Sequence, residues 1–593
     1  MQTFLAFGKK YFEWVTNLIF VLALTIIVFQ IIQSGLYYLQ LETLHQINKI
    51  INLIFSFLTF LMSLYLFMVA QGLSIKLARL VFLIVIGIYL IMSFLWIGNM
   101  LHEQFEVESY RSFLAILVGF IAISFKVAGL GNKKIHPSLL FVFSFIFLIL
   151  IGAFMLLLPG ATYKGITLTQ AFFTSTSAVT VTGLAILDTG KDFTFFGQVI
   201  IIILIQLGGL GVLTITNIFA LIFKSTSSYR NRIMLSDMIK ELDRNQTYKT
   251  LFKIIFLTFL IEAIGAIFIY FSITSSPGVS DKPWFFSIFH SISAFCNGGF
   301  STLSNSLYEE SVRYNYFLQM IICWLIITGG LGYTVMINHY VQIKNIFLSQ
   351  LSSINILGFK YKRELKHTST NSRIVLTTTV ILLISGTLLF FWSEYNDSLK
   401  EHDLFGKIVV SFFNSTTART AGFNNIDMST IGIPAIMLIM ALMWVGASPG
   451  STGGGIKTTT FAVVLLNLWN QIKGKEKLII KLKEIPATAI NQVNAVVILS
   501  IFAISFGTFL LSVFEPQILF KDILFECISA YSTVGLSVGI TPKLSEAGHI
   551  TLIIIMFLGR VSFLTFLIGL FSRMFNHEKG SEPYYPKESV FIN

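Results

Sequence analysis

From residue 138 onward, long apolar runs and short semi-polar ones alternate in a triplet that occurs four times. A long run (138–160) is followed by a short semi-polar one (167–180) and, after a polar stretch, by a second long run (196–223). The triplet returns as 251–273, 284–296 and 315–342, as 373–394, 405–418 and 430–468, and as 491–514, 519–532 and 548–575. A helix needs about 20 apolar residues to cross the hydrocarbon core of a bilayer, so the long members predict spans. The short members predict half-inserted, re-entrant helices. Two crossings per unit leave successive units parallel, unlike the inverted repeats of many secondary transporters. Earlier runs near 16–39, 48–70, 79–101 and 111–130 predict about four further spans. The first is too long for a signal peptide and ends in no small-residue cleavage site. The expected fold is an all-α integral membrane protein with four parallel repeats of helix, re-entrant helix and helix. Its expected units are an N-terminal extension (1–134) and repeats at 135–228, 229–347, 348–474 and 475–593.

Composition agrees with this pattern: 55% of the 593 residues are hydrophobic and 12% are charged, against about 25% charged in soluble domains. The formal charge of +12 raises the question of nucleic acid, but its placement argues against that partner. Basic residues gather between alternate runs, at Lys9 and Lys10, Lys76 and Arg79, Lys126 to Lys134, Lys224 to Arg232, Lys360 to Arg363, and Lys473 to Lys477. That alternation follows the positive-inside rule and places both termini in the cytoplasm of a multi-pass protein of the cell (inner) membrane. Cys296, Cys323 and Cys527 lie in or beside apolar stretches without metal-ligand spacing, which predicts buried free thiols.

The four short segments also agree letter by letter. They end Phe172-Phe173-Thr174-Ser175-Thr176-Ser177-Ala178-Val179-Thr180-Val181-Thr182-Gly183-Leu184, Phe289-His290-Ser291-Ile292-Ser293-Ala294-Phe295-Cys296-Asn297-Gly298-Gly299-Phe300, Phe412-Phe413-Asn414-Ser415-Thr416-Thr417-Ala418-Arg419-Thr420-Ala421-Gly422-Phe423 and Phe525-Glu526-Cys527-Ile528-Ser529-Ala530-Tyr531-Ser532-Thr533-Val534-Gly535-Leu536. Dehydrating potassium requires rings of oxygen ligands, which pores build from backbone carbonyls. Consecutive carbonyls aimed at one axis demand dihedrals that glycine adopts without steric cost. Thr182 and Gly183, Gly298 and Gly299, Ala421 and Gly422, and Val534 and Gly535 are therefore the candidate selectivity filter, holding K+ by backbone carbonyls alone. Packing glycines such as Gly208, Gly209 and Gly211 would not each close a short polar helix at one place in four repeats.

These loops, with Gly446-Ala447-Ser448-Pro449-Gly450-Ser451-Thr452-Gly453-Gly454-Gly455-Ile456-Lys457-Thr458, resemble the Trk/Ktr/HKT superfamily and its bacterial TrkH/KtrB potassium-uptake subunits. The tail Tyr585-Pro586-Lys587-Glu588-Ser589-Val590 and the run from His367 to Tyr395 are similar to the Ktr branch, and the resemblance covers roughly 138–593. It implies one pore per chain, homodimers in the lipid bilayer, and a cytosolic ring of the TrkA/KtrA kind that gates the pore. A nucleotide (ATP, ADP or NAD) is expected on that partner alone, with no cofactor on this chain and K+ as the transported ion. In plant relatives a serine at the first-repeat glycine accompanies sodium transport, so Gly183 favours potassium. A sodium-permeable or sodium-coupled transporter of the same architecture is the alternative. The N-terminal extension departs from the minimal eight-span pattern.

The five glycines and one proline within 446–455 interrupt an apolar run. The stretch 430–445 reaches only about 24 Å, so irregular backbone is expected at membrane depth. The resemblance makes it a mobile gate built from Gly446, Ser448, Pro449, Gly450, Gly453, Gly454 and Gly455. Arg560 falls about midway along the last span, where burying its charge costs about 2.5–3.5 kcal/mol. Two readings stand for it: an electrostatic plug on carbonyls of the glycine loop, favoured by the resemblance, or a salt bridge with Glu262. Lys457 either belongs to this cluster or snorkels. Arg419 is expected to pair with Glu526 or another carboxylate behind the filter, and His290 to be a satisfied helix histidine. Asp188 and Asp427 either concentrate cations at the pore mouth or sit in solvated turns. No His-Glu-x-x-His, Walker loop or dinucleotide fingerprint appears in the chain, so an enzyme is not expected.

Overall fold

The computed structural model describes residues 42–68, 73–97, 137–211, 247–342 and 370–571, apart from a few positions within these spans, together with parts of 18–26 and the positions 118 and 345. In the N-terminal extension, α1 (Glu42–Met68) packs against α2 (Leu73–Ile97). Tyr89 Oη donates to Asn52 Oδ1 across that contact at 2.6 Å. Ile19, Ala23, Ile26 and Val118 share a small core with Phe55, Ile86 and Tyr89. The remainder of the spans expected at 16–39 and 111–130 lies outside the described residues.

The four repeats follow in order. Repeat 1 is α3 (Pro137–Leu156), α4 (Leu168–Thr180) and α5 (Phe195–Leu210); repeat 2 is α6 (Thr247–Thr274), α7 (Pro283–Phe295) and α8 (Tyr316–Gly330). Repeat 3 is α9 (Thr370–Glu394), α10 (Leu404–Thr417), α11 (Ile433–Trp444) and, past a break, α12 (Thr458–Ile472). A two-residue antiparallel ladder, Ile479–Ile480 with Lys483–Glu484, leads into repeat 4: α13 (Ala487–Phe514), α14 (Phe520–Ser532), α15 (Glu546–Val561) and α16 (Phe563–Phe571). The first helices α6, α9 and α13 run 28, 25 and 28 residues, long enough to cross at 1.5 Å per residue. The middle helices have 13 or 14 residues, about 20 Å, too short to cross a hydrocarbon core of about 30 Å.

Three of the third members, α5, α8 and α15, differ from the unbroken spans that their hydropathy predicts, while the break after α11 falls where the glycines place it. α5 stops at Gly211 (φ 79°), and α15 stops at Ser562 (φ 67°) before α16 resumes. α8 turns through 101° into Val335–Gln342 past Gly332 (φ 87°), and α11 runs into the glycine loop. A residue in left-handed backbone cannot continue a right-handed helix, yet it leaves hydropathy unchanged.

Two contacts organise the bundle. Within each repeat, a glycine of the first helix admits one small polar side chain of the pore helix: Gly152 with Ser175, Gly265 with Ser291, Gly386 with Ser415, and Gly507 with Cys527. The three serine hydroxyls donate to Ile149 O, Glu262 O and Leu383 O at 2.7, 2.6 and 3.0 Å. Between repeats, each third helix packs on the next pore helix, α5 on α7, α8 on α10 and α11 on α14, and α15 returns to α4 to close the ring. A side chain on Gly265 would begin 2.7 Å from both Ser291 Oγ and Leu325 Cδ2. Gly265→Leu is therefore expected to destabilise the bundle by about 1–3 kcal/mol. This would show as a lower melting temperature in detergent, and an unchanged one would contradict the packing.

The polarity of the bundle is inverted relative to a soluble protein. Val380, Ile381, Ile384, Leu388, Leu389 and Trp392 stand exposed along α9, while Ser175, Thr176, Ser177, Thr180 and Thr182 are buried inside. Lipid solvates such an apolar exterior, and water would not. The chain is a multi-pass, nearly all-α membrane protein.

Candidate filter and gate

Three of the four pore helices are started by a cap or a proline, and all four are stopped by backbone reversal. Thr167 and Gln170 form a capping box at α4, Asp403 Oδ1 accepts from Gly406 N–H at α10, and proline opens α7. All four chains then enter left-handed backbone two residues before the repeat's glycine, at Val181, Asn297, Thr420 and Thr533 (φ 58°, 60°, 71° and 51°). The glycines follow with φ of 91° at Gly183, 68° at Gly299, 80° at Gly422 and 91° at Gly535. Non-glycine residues in this region cost about 1–2 kcal/mol each, so four in register mark a conformation held by its surroundings. The holding contacts are equivalent. Thr182, Gly298, Ala421 and Val534 N–H donate to Ser177, Ser293, Thr417 and Ser529 O at 2.6–3.0 Å. The hydroxyls of Ser177 and Ser529 accept from Gly183 and Gly535 N–H, and those of Ser293 and Thr417 donate to Phe300 and Phe423 O.

The four glycines meet in a closed ring. A Cβ on Gly183 would stand 2.5 Å from Gly298 O and 3.1 Å from Gly299 Cα; one on Gly299 would stand 2.7 Å from Ala421 O and 3.0 Å from Gly422 Cα. A Cβ on Gly422 would meet Val534 O, with Gly535 Cα at 3.2 Å, and one on Gly535 would meet Thr182 O, with Gly183 Cα at 3.0 Å. All eight residues singled out from sequence thus converge, and the carbonyl before each glycine lies against the glycine of the preceding repeat. The pore-helix C-termini, each carrying roughly half a negative charge, converge there too, an arrangement that favours a cation.

The glycine loop lies directly against the base of this ring. Val445 and Ile456 bridge to close its neck, where a Cβ on Gly446 would come within 3.0 Å of Gly455 Cα. Gly450 and Gly455 turn the chain at φ 70° and 65°. Gly453 faces Thr420 and Gly454 faces Thr533; a Cβ on either would lie 3.1 Å from the threonine Cβ. The loop is pinned to α8 and the turn after it, through Ser448 N–H to Gly330 O at 3.0 Å and Tyr333 N–H to Gly450 O at 2.9 Å. Pro449 O lies 2.6 Å from where a Cβ on Gly332 would stand. Arg560 Nη1 donates to Thr452 O, and Nη2 to Gly208 O at 2.7 Å, so one guanidinium joins the loop of repeat 3 to α5 of repeat 1. Of the two readings of Arg560, the carbonyl partners are found and the Glu262 salt bridge is not: Glu262 Oε2 accepts from Gln206 Nε2 at 3.2 Å.

Other expectations fare unevenly. His290 is satisfied, with Nδ1 at 2.9 Å from Phe286 O and Nε2 at 2.9 Å from Ser301 Oγ. The three cysteines are buried and free. Arg419 does not pair with Glu526. It turns toward α9, where Nη2 reaches Thr379 Oγ1 at 3.5 Å, while Glu526 Oε1 accepts from Ser537 and Thr541 of its own repeat. Asp188 and Asp427 cap turns through Gly190 N–H and Ser429 N–H. Lys457, left open from sequence, donates to Gly453 and Gly454 O at 2.7 and 3.3 Å. Asn297 was missed: its carboxamide is hydrogen-bonded to Thr420 Oγ1 at 3.1 Å, at the base of the ring. Its one signal is a carboxamide at a position held by valine or threonine in the other repeats.

Residues 133–580 match the TrkH family, described as cation transport proteins. The match begins where the four repeats begin and leaves the N-terminal extension outside. The chain is 35% identical over 461 residues to the Ktr system potassium uptake protein B of Bacillus subtilis (strain 168), covering 77% of this chain and 97% of that protein. It is 33% identical over 474 residues to the potassium/sodium uptake protein NtpJ of Enterococcus hirae, covering 78% and 98%. Its fold is similar to the crystal structure of the potassium transporter TrkH from Vibrio parahaemolyticus, with a TM-score of 0.57 at 17% identity, covering 84% of this chain and 98% of that one. By the extent of the family match and the identity to these relatives, the chain belongs to the TrkH family of cation transport proteins.

Proposed function

We propose that this chain is the potassium-conducting subunit of a bacterial uptake system. The closed ring of four positive-φ glycines carries the reading. In it, the carbonyls at Thr182, Gly183, Gly298, Gly299, Ala421, Gly422, Val534 and Gly535 replace the hydration shell of K+. One positive-φ glycine per repeat makes a short filter, which holds fewer dehydrated ions than a longer carbonyl run. The segments 135–228, 229–347, 348–474 and 475–593 are the four pore units, and 1–134 is an addition to them. The name of the Bacillus subtilis relative supports potassium as cargo and that of the Enterococcus hirae relative potassium or sodium, and the serine-free ring is in keeping with potassium.

Below the filter, the loop from Gly446 through Ser448, Pro449, Gly450, Gly453 and Gly454 to Gly455 is the gate. Arg560 and Lys457 hold it closed by donating to its carbonyls. The subunit works as a homodimer in the inner membrane with both termini cytoplasmic. A cytosolic nucleotide-binding ring docks on its basic segments, and its binding energy moves the loop only as far as it differs between open and closed states. Of those segments, 224–246 and 346–369 lie outside the described residues.

Reconstitution in liposomes tests the reading. Under a potassium gradient, flux that follows rubidium and potassium and is small with sodium is expected. Equal sodium flux would give the sodium-permeable alternative, and no cation flux with added partner would refute both.

A further inference from the structure

The pore helices of repeats 2, 3 and 4 share a contact with no counterpart in repeat 1. Three residues before the Ser or Thr that holds each reversal stand His290, Asn414 and Glu526. Each side chain hydrogen-bonds the residue eleven positions later, on the limb that leaves the glycine ring. His290 Nε2 meets Ser301 Oγ at 2.9 Å, Asn414 Nδ2 donates to Asn425 Oδ1 at 2.9 Å, and Glu526 Oε1 accepts from Ser537 Oγ. His290, Asn414, Glu526 and Asn425 are buried to 1% exposure or less, and Ser301 to 8%.

The contacts reach further out as well. Phe286 O can only accept, so in the neutral ring His290 Nδ1 carries the proton and Nε2 accepts from Ser301, whose oxygen in turn accepts from Leu303 N–H at 3.0 Å. Asn425 Nδ2 donates to Gln319 Oε1 on α8 at 3.0 Å. Glu526 also accepts from Thr541 at 3.1 Å, and Thr541 O lies 2.9 Å from His549 Nε2 on α15. Three different chemistries thus perform one task at one level. In repeat 1 the equivalent pair is Thr174 and Ala185, and Ala185 is exposed and has no hydrogen-bonding side chain.

We infer that His290, Asn414 and Glu526 are positioning residues of the filter, each bracing the outgoing limb of its repeat against its own pore helix and thereby setting the discrimination between potassium and sodium. The inference rests on the glycine ring being the filter. A carbonyl ring that can contract accepts the smaller ion, and bracing three limbs from behind limits that contraction. Repeat 1 is then the most compliant quarter of the ring.

The test is the rubidium-to-sodium uptake ratio in liposomes. Asn414→Leu, Glu526→Leu and the partner-side pair Ser537→Ala with Thr541→Val are each expected to lower the ratio about fivefold, the factor of one net hydrogen bond. Glu526→Gln keeps the acceptor and is expected to retain the wild-type ratio. Ser287→Ala lies on the same helix as His290, but its hydroxyl donates only to Pro283 O at 2.8 Å; it is expected to leave the ratio unchanged. Should Glu526→Leu not fold, the Ser537/Thr541 pair decides. An unchanged ratio in the brace variants, beside a lowered one in Gly183→Ser, would overturn the brace and leave the filter standing. An unchanged ratio in Gly183→Ser as well would remove the filter reading itself. An equal fall in Ser287→Ala would reduce the effect to general destabilisation and overturn the inference.

Discussion

Gly183→Ser lowers the rubidium-to-sodium uptake ratio by about tenfold, equivalent to about 1.4 kcal/mol of lost preference, in protein that remains monodisperse. Two features set this size. The φ of 91° is strained for serine, and the new Cβ starts 2.5 Å from Gly298 O, a carbonyl of the neighbouring repeat. The substitution must therefore displace an oxygen of the proposed filter rather than merely enlarge a surface. Paired rubidium and sodium uptake on one reconstituted sample is the measurement. An unchanged ratio would separate the ring from selectivity.

Arg560→Ala raises basal flux without any cytosolic partner by tenfold or more. Hydrogen bonds from a charged donor contribute about 1.5–3 kcal/mol each, and this guanidinium makes two, to Thr452 O and Gly208 O. If both exist only with the loop closed, their loss shifts the gate by about 3–6 kcal/mol. Even half of that is a tenfold change in open fraction. Lys457 still holds Gly453 and Gly454 O, so removing part of 448–455 should raise flux further than the arginine change does. Equal or lower basal flux in a well-expressed Arg560→Ala protein would count against the gate.

The repeat pattern was legible because lipid imposes it: span length and the short pore helices follow from the thickness of the bilayer. The glycine positions were legible because the same dihedral is required four times, and a fourfold coincidence in sequence is hard to produce otherwise. The breaks in α5, α8 and α15 were hidden for the opposite reason. A left-handed residue such as Ser562 (φ 67°) interrupts a helix without interrupting hydrophobicity. The Arg419 and Glu526 pairing failed because nearness within two homologous loops says nothing about side-chain direction. Arg419 turns toward Thr379 on α9, and Glu526 toward Ser537. Lys457 was ambiguous because a lysine beside an apolar run has an easier default, reaching for the interface, than the carbonyls of a broken loop.

The return of α15 to α4 also has a consequence for how the protein is made. Gly535 closes the ring against Thr182 and Gly183, so one wall of the pore joins residues 352 positions apart in sequence, 183 to 535. Translation at about 5–20 residues per second separates their emergence by roughly 20–70 s. Throughout that interval the nascent chain is a partial cylinder whose first pore helix has no partner on its open flank. The seam must be kept from foreign helices until the last repeat inserts. A ribosome stalled before residue 475, where the fourth repeat begins, would leave in the membrane three quarters of a pore with its polar interior open to lipid, a natural substrate for membrane quality control.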